Sequence, residues 1–463
     1  MFPTLLFDEL PNQKTHVFFG DSSFINSLPV PHYYKEQALS EKRLGIPFPI
    51  YTETLEILSI YSKGQTTEEI RTAGNALATY LSKEKIESIQ LNIDSTKDTF
   101  VPFVEGLLLG SYYYSSLKKE RNPSLTITLP KGTETILSEI IHLSKAVFEA
   151  RDLVNMPSNV LFPSSYAERI QSYASTHNLH IEVLEEQQLQ ALKFGGLLAV
   201  NQGSIEAPYF AIIEYKPSTP TNDAPIVLVG KGVTYDTGGL SLKPTPQSMD
   251  IMKCDMGGSA TVVGTLIALA DNCSSKHVIG LIPITDNRIE TKAVSPGDVI
   301  TMHNGKTVEV MNTDAEGRLI LADALSYASK YKPQLVIDIA TLTGAALGAI
   351  GSEGIVYMGI ASEKEKQQFE ASGHDVYERV VEFPLWEEYD KQLNSDIADL
   401  KNIGGNTAGA ITAGKFLQHF IDYNWLHLDI AGPAYLDTPS SYRPKGGTGV
   451  GVRLLYRFIN ELS

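Results

Sequence analysis

The residues that could do chemistry are concentrated in one stretch of the chain, residues 225–319. Acidic and basic side chains stand there in Gly-rich turns that follow apolar runs. In α/β proteins such turns bring the backbone close to ligands and present side chains at the ends of the strands. The charged residues in these turns are Lys231, Asp236, Lys243, Asp255, Asp314, Glu316 and Arg318.

The spacing of these residues indicates how they are presented. Asp314 and Glu316 are two positions apart, and on extended backbone this spacing points both carboxylates to the same side. A helical pattern follows Gly317, so Arg318 is predicted at a helix N-terminus, where free N–H groups and the helix dipole favour a small anion. Asp255 precedes two glycines and another helical pattern, which predicts a strand-to-helix corner.

Four carboxylates brought together suggest a metal site. They carry about four negative charges, which a partly dry cleft does not tolerate without compensation. Two divalent cations would cancel this charge and could activate a bridging water at neutral pH. No His-Glu-x-x-His motif is present, so the ligands are oxygens, with a lysine amine as a further candidate. Such a site suits manganese, magnesium or zinc. Each carboxylate alone is also consistent with a helix cap or a turn.

Three motifs in this stretch resemble the metal-binding signature of the leucine (cytosol) aminopeptidase family. They are Val-Gly-Lys-Gly-Val-Thr-Tyr-Asp-Thr-Gly-Gly at 229–239 with Lys243-Pro244, Asp-Met-Gly-Gly-Ser-Ala at 255–260, and Asn-Thr-Asp-Ala-Glu-Gly-Arg-Leu at 312–319. Weaker matches at 150–155, 340–345 and 427–432 extend the resemblance over about residues 145–455. Tyr235 and Thr237 stand where the family often has Phe and Ser, and the segment between Lys243 and Asp255 is slightly longer than in some relatives.

The resemblance implies two divalent metal ions per subunit, manganese or zinc, with magnesium or cobalt as alternatives. Lys231 would bind as a neutral amine, which an adjacent dication makes possible by lowering its pKa. One ion would be held by Asp236, Asp314 and Glu316, and the second by Lys231, Asp236, Asp255 and Glu316.

The resemblance also implies catalytic roles and an activity. Lys243 would polarise the scissile carbonyl and stabilise the oxyanion, and Arg318 would hold a bicarbonate that acts as general base. The free α-amine of a peptide would bind a metal directly, which restricts cleavage to the first residue. The implied enzyme is a metal-dependent aminopeptidase that releases N-terminal leucine or other apolar residues from peptides. Its pocket for the first side chain would include Met252, Thr341, Gly344 and Ala431.

Two other classes of function are less consistent with the sequence. A two-metal phosphoesterase could use the same four carboxylates, although the amine ligand and the complete 312–319 motif argue against it. A scaffold or DNA-binding accessory protein is disfavoured by the formal net charge of −16. Residues 409–416 imitate a phosphate-binding loop as far as Lys415, but Phe416 stands where a Ser or Thr is needed, and no apolar strand precedes them.

Length and patterning predict two domains. The 463 residues exceed one ordinary core, and strands alternating with helices predict a largely parallel (mixed) sheet covered by helices. The predicted fold is therefore α/β, with a smaller α/β N-terminal domain before the catalytic one. The predicted parts are 1–140 (N-terminal α/β domain, assembly or regulatory), 141–175 (connecting helical segment) and 176–463 (catalytic). Predicted strands are 15–19, 55–61, 124–129, 180–184, 210–215, 225–229, 278–283, 307–311, 334–340, 355–360 and 425–430, and predicted helices are 67–83, 103–118, 136–155, 259–271, 319–331 and 408–423.

Composition and the absence of targeting patterns indicate the expected compartment and partners. Cys254 and Cys273 are too few for a disulfide framework in a chain of this length. The sequence shows neither a secretory signal pattern nor a run of about eighteen apolar residues, so the cytoplasm is expected and a membrane partner is not. Peptides are the expected partners, nucleic acid is not expected, and the family resemblance implies a homohexamer.

Overall fold

A computed structural model describes residues 2–8, 13–53, 56–114, 117–118 and 124–462. Leu55, in one predicted strand, and residues 115–116, in one predicted helix, lie outside the described residues. The chain divides into two compact units, residues 1–148 with 437–445, and residues 149–436 with 446–463. No helix in the described ranges is both long and apolar enough to span a bilayer.

The N-terminal unit is built on a six-stranded sheet. Its strands are β1 Thr4–Leu6, β2 Thr15–Gly20, β3 Phe48–Tyr51, β4 Glu56–Tyr61, β5 Ser88–Ile93 and β6 Thr126–Thr128. Its helices are α1 Ser22–Ser27, α2 His32–Ala38, α3 Thr67–Glu84 and α4 Phe100–Gly110, with a 3₁₀ turn at Glu41–Arg43. The strand order is β1-β6-β5-β2-β4-β3, and only β3 pairs in antiparallel fashion among the described strands.

Local sequence signals explain the helices of this unit. Helix α3 begins at a capping box in which Thr66 and Glu69 satisfy each other's backbone N–H groups. Its Leu77 and Leu81 are buried in the same apolar core as Phe103 of α4. Helix α4 ends at Gly110, earlier than the predicted 103–118. The apolar run ends there, at a Gly followed by Ser111 and three tyrosines.

The division between the two units falls within helix α5, Glu134–Asn155. The second unit adds helices α6 Pro163–Thr176, α7 Glu186–Ala191, α8 Gly195–Asn201, α9 Gly257–Asp271, α10 Gly317–Ala328, α11 Gly344–Ile350, α12 Glu363–Asp375, α13 Gly409–Gln418 and α14 Val452–Glu461. Further 3₁₀ turns lie at Met249–Cys254, Ser329–Tyr331 and Glu387–Leu393.

The second unit is organised around a nine-stranded sheet. Its strands, with those of two small sheets, are β7 His180–Leu184, β8 Tyr209–Tyr215, β9 Ile226–Gly230, β10 Gly232–Asp236, β11 Val278–Asn287, β12 Asp298–Thr301, β13 Thr307–Val310, β14 Leu335–Ala340, β15 Ile355–Gly359, β16 Val380–Glu382, β17 Leu400–Lys401, β18 Trp425–Asp429, β19 Tyr435–Leu436 and β20 Gly446–Gly447. The large sheet runs β16-β15-β18-β14-β9-β11-β8-β7, with β10 paired to β11.

The centre of the large sheet is parallel, and antiparallel pairs join β15 to β18, β11 to β8 and β8 to β7. The prediction of a largely parallel, mixed sheet is therefore confirmed. Val227 and Val229 of β9 are buried in one core with the apolar face of α10. Gly230 of the same strand lies against Ser259 and Val262 of α9. Because alternate residues of a strand face opposite sides, α9 and α10 cover opposite faces of the sheet.

Close packing at the start of α9 depends on glycine. A Cβ atom on Gly258 would come within 2.0 Å of the carbonyl oxygen of Ile339 in β14. The N-terminus of α9 can therefore approach the end of β14 only without a side chain at this position. This packing sets the position of Asp255, three residues earlier.

Candidate metal centre

Four charged side chains converge where β9, β10, α9 and α10 meet. Lys231 lies between β9 and β10, Asp236 ends β10, Asp255 precedes α9, and Glu316 is the N-cap residue of α10. Their side chains are only 2–5% exposed. The predicted set is thus brought together from segments far apart in the sequence.

Two lysines are inserted among the carboxylates. Lys231 Nζ lies 2.7 Å from Asp255 Oδ1 and 2.9 Å from Glu316 Oε1. Lys243 Nζ lies 2.8 Å from Asp236 Oδ2 and also pairs with Asp314. Four carboxylates face two ammonium groups, so the fully ionised cluster has more negative than positive charge.

Two carboxylate oxygens in this cluster lack a partner. Asp255 Oδ2 and Glu316 Oε2 are buried and accept no hydrogen bond. One oxygen each from Asp236, Asp255 and Glu316 lie within 4.8 Å of one another. A buried, unpartnered carboxylate oxygen is costly. Unpartnered oxygens, excess negative charge and close spacing together fit a divalent cation.

The electrostatics reflect burial and crowding. Burial, with repulsion from Glu316, raises the pKa of Asp236 to about 7. Burial also raises the pKa of Asp255 well above its ordinary value, despite the attraction of Lys231. For Glu316, burial opposes ionisation, but Lys231 and Lys243 outweigh it and lower the pKa. Burial likewise opposes the charge on Lys231, yet the surrounding carboxylates raise its pKa. An adjacent dication would act in the opposite direction and lower it.

Two local predictions about the carboxylates were wrong. Residues 313–314 form a turn and Glu316 has helical backbone angles, so Asp314 and Glu316 do not converge along extended backbone. Asp255 follows the 3₁₀ turn Met249–Cys254 instead of a strand. In both places the chain turns tightly into a helix, and a pattern of apolar and charged residues does not distinguish such a turn from a strand end.

Neighbouring side chains and backbone groups orient the carboxylates. Asn287 Nδ2 donates to Asp236 Oδ1 at 2.8 Å and to Thr313 O at 3.0 Å. Thr341 Oγ1 donates to Asp255 Oδ1 at 3.0 Å, and Thr341 O accepts from Lys231 Nζ at 3.0 Å. Sequence reasoning missed Asn287. The available signal was the polar run Thr-Asp-Asn at the end of β11.

The loop after β10 requires glycine. Gly238 has a φ of +82°, and a Cβ there would lie 2.8 Å from Asp314 Oδ1 and 2.6 Å from Ser241 O. Its N–H donates to Asp236 Oδ1 at 2.8 Å. A side chain at this position would force Asp236 and Asp314 apart.

Arg318 lies in the first turn of α10 and is 7% exposed. Its Nη1 donates to Asn402 O at 2.8 Å, and its Nε is buried without a hydrogen-bond partner. Burial lowers its pKa to about 10, so the guanidinium remains charged at neutral pH. A buried cation with an unused donor fits a small anion, as the sequence predicted for this position.

The predicted pocket residues lie on separate elements. Met252 is in the 3₁₀ turn before Asp255, and Thr341 follows β14 and contacts the cluster as described. Gly344 begins α11, with open space where a Cβ would stand. Ala431 follows β18, and its N–H donates to Asp429. Within the described residues, neither Gly344 nor Ala431 is hydrogen-bonded to a predicted metal ligand.

Comparisons with known proteins identify the family. The model of the cytosol aminopeptidase family, catalytic domain, matches residues 148–456. A protein of Syntrophotalea carbinolica named "Probable cytosol aminopeptidase" is 44% identical over 371 residues, covering 77% of this chain and 74% of the relative. A protein of the same name from Geotalea uraniireducens is 42% identical over 412 residues, covering 86% and 83%.

Solved structures agree over nearly the whole chain. The bottromycin maturation enzyme BotP in complex with Mn has a TM-score of 0.88 at 31% identity, covering 97% of this chain and 99% of that one. A tomato leucine aminopeptidase variant has a TM-score of 0.86 at 27% identity, covering 99% and 96%. This chain belongs to the cytosol aminopeptidase family and is an aminopeptidase, a hydrolase that acts on peptides.

Proposed function

We propose that this aminopeptidase depends on two divalent metal ions and releases N-terminal leucine or other apolar residues. The observation that carries the proposal is the buried carboxylate cluster, in which Asp255 Oδ2 and Glu316 Oε2 have no partner. The complex of BotP with Mn supports a divalent ion of this kind. Zinc is the main alternative, followed by magnesium and cobalt.

The ligand assignment follows the cluster. Asp236, Asp314 and Glu316 would hold one ion, and Lys231, Asp236, Asp255 and Glu316 the other. When bound, the ions supply a nucleophilic water at neutral pH and polarise the scissile carbonyl. Asn287, Gly238 and Thr341 keep Asp236 and Asp255 oriented through the hydrogen bonds described above. Such support of the ligands normally contributes to metal affinity.

Lys243 and Arg318 are the proposed catalytic residues. Lys243 is 13% exposed, and its ammonium group lies between Asp236 and Asp314. From there it can stabilise negative charge that develops on the carbonyl oxygen. Arg318 offers its unused buried Nε to an anion, and we assign it a bicarbonate that accepts a proton from the attacking water.

The substrate assignment depends on the free amino group of the peptide and on the space available to its first side chain. The free α-amine of a peptide would bind a metal directly, a contact that an internal peptide bond cannot make. Open space at Gly344 leaves room for the first side chain, and Met252, Thr341 and Ala431 complete the proposed pocket. From the family resemblance we also propose a cytoplasmic homohexamer, with an assembly or regulatory role for the N-terminal domain.

One assay tests the metal and the amine requirement together. The chelated protein is assayed on leucine p-nitroanilide and on its N-acetylated form, before and after addition of Mn²⁺ or Zn²⁺. We expect activity to return with metal on the free amine alone. Hydrolysis of both substrates would refute the amine contact. Full activity after exhaustive chelation would refute the metal dependence.

A further inference from the structure

Asn402 lies directly after β17, and its side chain is fully buried. Both the oxygen and the nitrogen of its side-chain amide form hydrogen bonds to the loop that joins β13 to α10. Oδ1 accepts from the N–H of Met311 at 2.8 Å and from that of Asn312 at 3.3 Å. Nδ2 donates to Asn312 O at 2.7 Å and to Ala315 O at 3.4 Å.

The backbone of Asn402 makes two further contacts. Its carbonyl accepts the hydrogen bond from Arg318 Nη1 at 2.8 Å. Its N–H donates to Glu309 O in β13 at 3.0 Å. One residue therefore connects the end of β13, the loop carrying Asp314, and the guanidinium at the start of α10.

The chemistry of this position favours an amide. The loop is irregular, so its backbone groups find few partners within it, and buried groups of this kind need them. The loop also holds two carboxylates of like charge, Asp314 and Glu316. Only a neutral group with both a donor and an acceptor can satisfy N–H and C=O groups together without adding charge.

We propose that Asn402 is a positioning residue for the metal-dependent reaction. It holds Asp314, Glu316 and Arg318 in one fixed arrangement, so that the metal ligands and the anion-binding guanidinium keep their spacing. This inference rests on the proposed function. Groups that support metal ligands in this way typically contribute about 10–100-fold in metal affinity or activity.

Asn222 provides a matched control. Its Nδ2 donates to Ala224 O at 2.8 Å and to His277 O at 3.0 Å, and its Oδ1 accepts from the N–H of His277 at 2.8 Å. The nitrogen and the oxygen of its side-chain amide therefore both form hydrogen bonds to backbone groups, as those of Asn402 do. It precedes β9 and His277 precedes β11, at the amino ends of two parallel strands, whereas the cluster lies at their carboxyl ends.

The experiment compares Asn402→Ala with Asn222→Ala in the full chain. For each, Mn²⁺ binding to the chelated protein is measured by calorimetric titration, kcat and KM are measured on leucine p-nitroanilide at saturating Mn²⁺, and the Tm is recorded. We expect both variants to lower the Tm. Only Asn402→Ala should weaken Mn²⁺ binding or lower kcat by about 10–100-fold, with a smaller change in KM.

The outcomes separate the inference from the proposed function. If Asn402→Ala matches Asn222→Ala within twofold in Mn²⁺ affinity and kcat, Asn402 is merely structural. If Asn402→Ala does not fold, hydrogen exchange of the wild type decides. Mn²⁺ loading should raise the protection of the Met311 and Asn312 amides more than that of the His277 amide, which is bonded to Asn222. An equal change at all three amides, or exchange of Met311 and Asn312 at the rate of an open loop, overturns the inference. A wild type that needs no metal would refute the proposed function, as would one that binds none of Mn²⁺, Zn²⁺, Mg²⁺ and Co²⁺.

Discussion

Two ion pairs of equal length show what distinguishes the two units. Lys97 and Asp21 of the N-terminal unit are 2.7 Å apart, as are Lys231 and Asp255 of the catalytic unit. Asp21 directly follows β2 and Lys231 directly follows β9, so each pair stands at the carboxyl end of a parallel strand. The side chains are 44% exposed in the first pair and 3% and 5% exposed in the second.

Their carboxylates differ in how they are satisfied. Asp21 Oδ1 accepts from the N–H groups of Ser23 and Phe24, and Oδ2 accepts from Lys97. These bonds hold the pKa of Asp21 far below its ordinary value, chiefly through Lys97. Asp255 has an oxygen without a partner, and burial raises its pKa. The length of an ion pair therefore says little about its role, whereas burial and an unused oxygen indicate a binding site.

The largest effect on activity is expected in the buried carboxylate cluster of the catalytic unit. Glu316→Ala removes the carboxylate proposed to contact both metal ions. We expect Mn²⁺ binding to be lost and activity on leucine p-nitroanilide to fall at least about 10³-fold, since metal chemistry contributes several kcal/mol to such reactions. The fold should survive, as judged by circular dichroism and a cooperative thermal transition.

Asp323 of α10 is the control for Glu316. It is fully buried and accepts N–H bonds from Leu197 and His303 at 2.9 Å each, and burial raises its pKa to about 7. Asp323→Asn replaces one of the two accepting oxygens by an NH₂ group, so one backbone N–H loses its acceptor. The variant should therefore have a lower Tm and an unchanged Mn²⁺ affinity. Wild-type activity in Glu316→Ala would remove Glu316 from the metal site.

A smaller effect is expected at Lys243, which pairs with the ligands but is not assigned to hold a metal. Lys243→Ala should retain Mn²⁺ and lower kcat by roughly a hundredfold or more, as for loss of an electrostatic stabiliser. Lys97→Ala is the comparison from the exposed pair, and its kcat should equal that of the wild type. Unchanged turnover in Lys243→Ala would exclude Lys243 from catalysis.

Much of this arrangement could be predicted from the sequence, because the signals are local. The apolar run before Lys231 predicts a strand end, and β9 ends there. The glycines after Asp236 predict a close approach between segments of the chain, and Gly238 lies against Asp314 and Ser241. The predicted fold class and family are confirmed. The metal and substrate roles of the residues stay predictions.

The remaining features depend on contacts that no local pattern encodes. Asn287 meets Asp236 across 51 positions, and Asn402 meets Met311 across 91. The polar run at the end of β11 is the one local signal for Asn287, and it does not identify Asp236 as the partner; the residues around Asn402 give no comparable signal. The turn at residues 313–314 was missed for a related reason, since tertiary packing decides between a turn and a strand end there.

The smallest effect is expected at Asp21, in the exposed ion pair with Lys97. Asp21→Asn keeps a capping oxygen for α1 but removes the charge that faces Lys97, so it should cost at most about 1 kcal/mol of unfolding free energy at pH 7. Asp21→Ala also removes the cap and should cost about 0.5–2 kcal/mol. Urea unfolding, with hydrogen exchange over residues 15–61 as the local readout, measures both, and hydrolysis of leucine p-nitroanilide should be unchanged.

The pH dependence of the Asp21→Asn effect follows from the direction of the pKa shift. The pKa of Asp21 is lower in the folded protein than the ordinary 3.8, so the carboxylate stabilises the folded state fully above that value. The stabilisation is lost as pH falls through the folded pKa. The difference between wild type and Asp21→Asn should therefore be constant from pH 7 to about 5 and shrink below about pH 4. A difference that instead grew on acidification, or a loss of catalytic activity in this variant, would mean that the exposed pair has a role that its geometry does not account for.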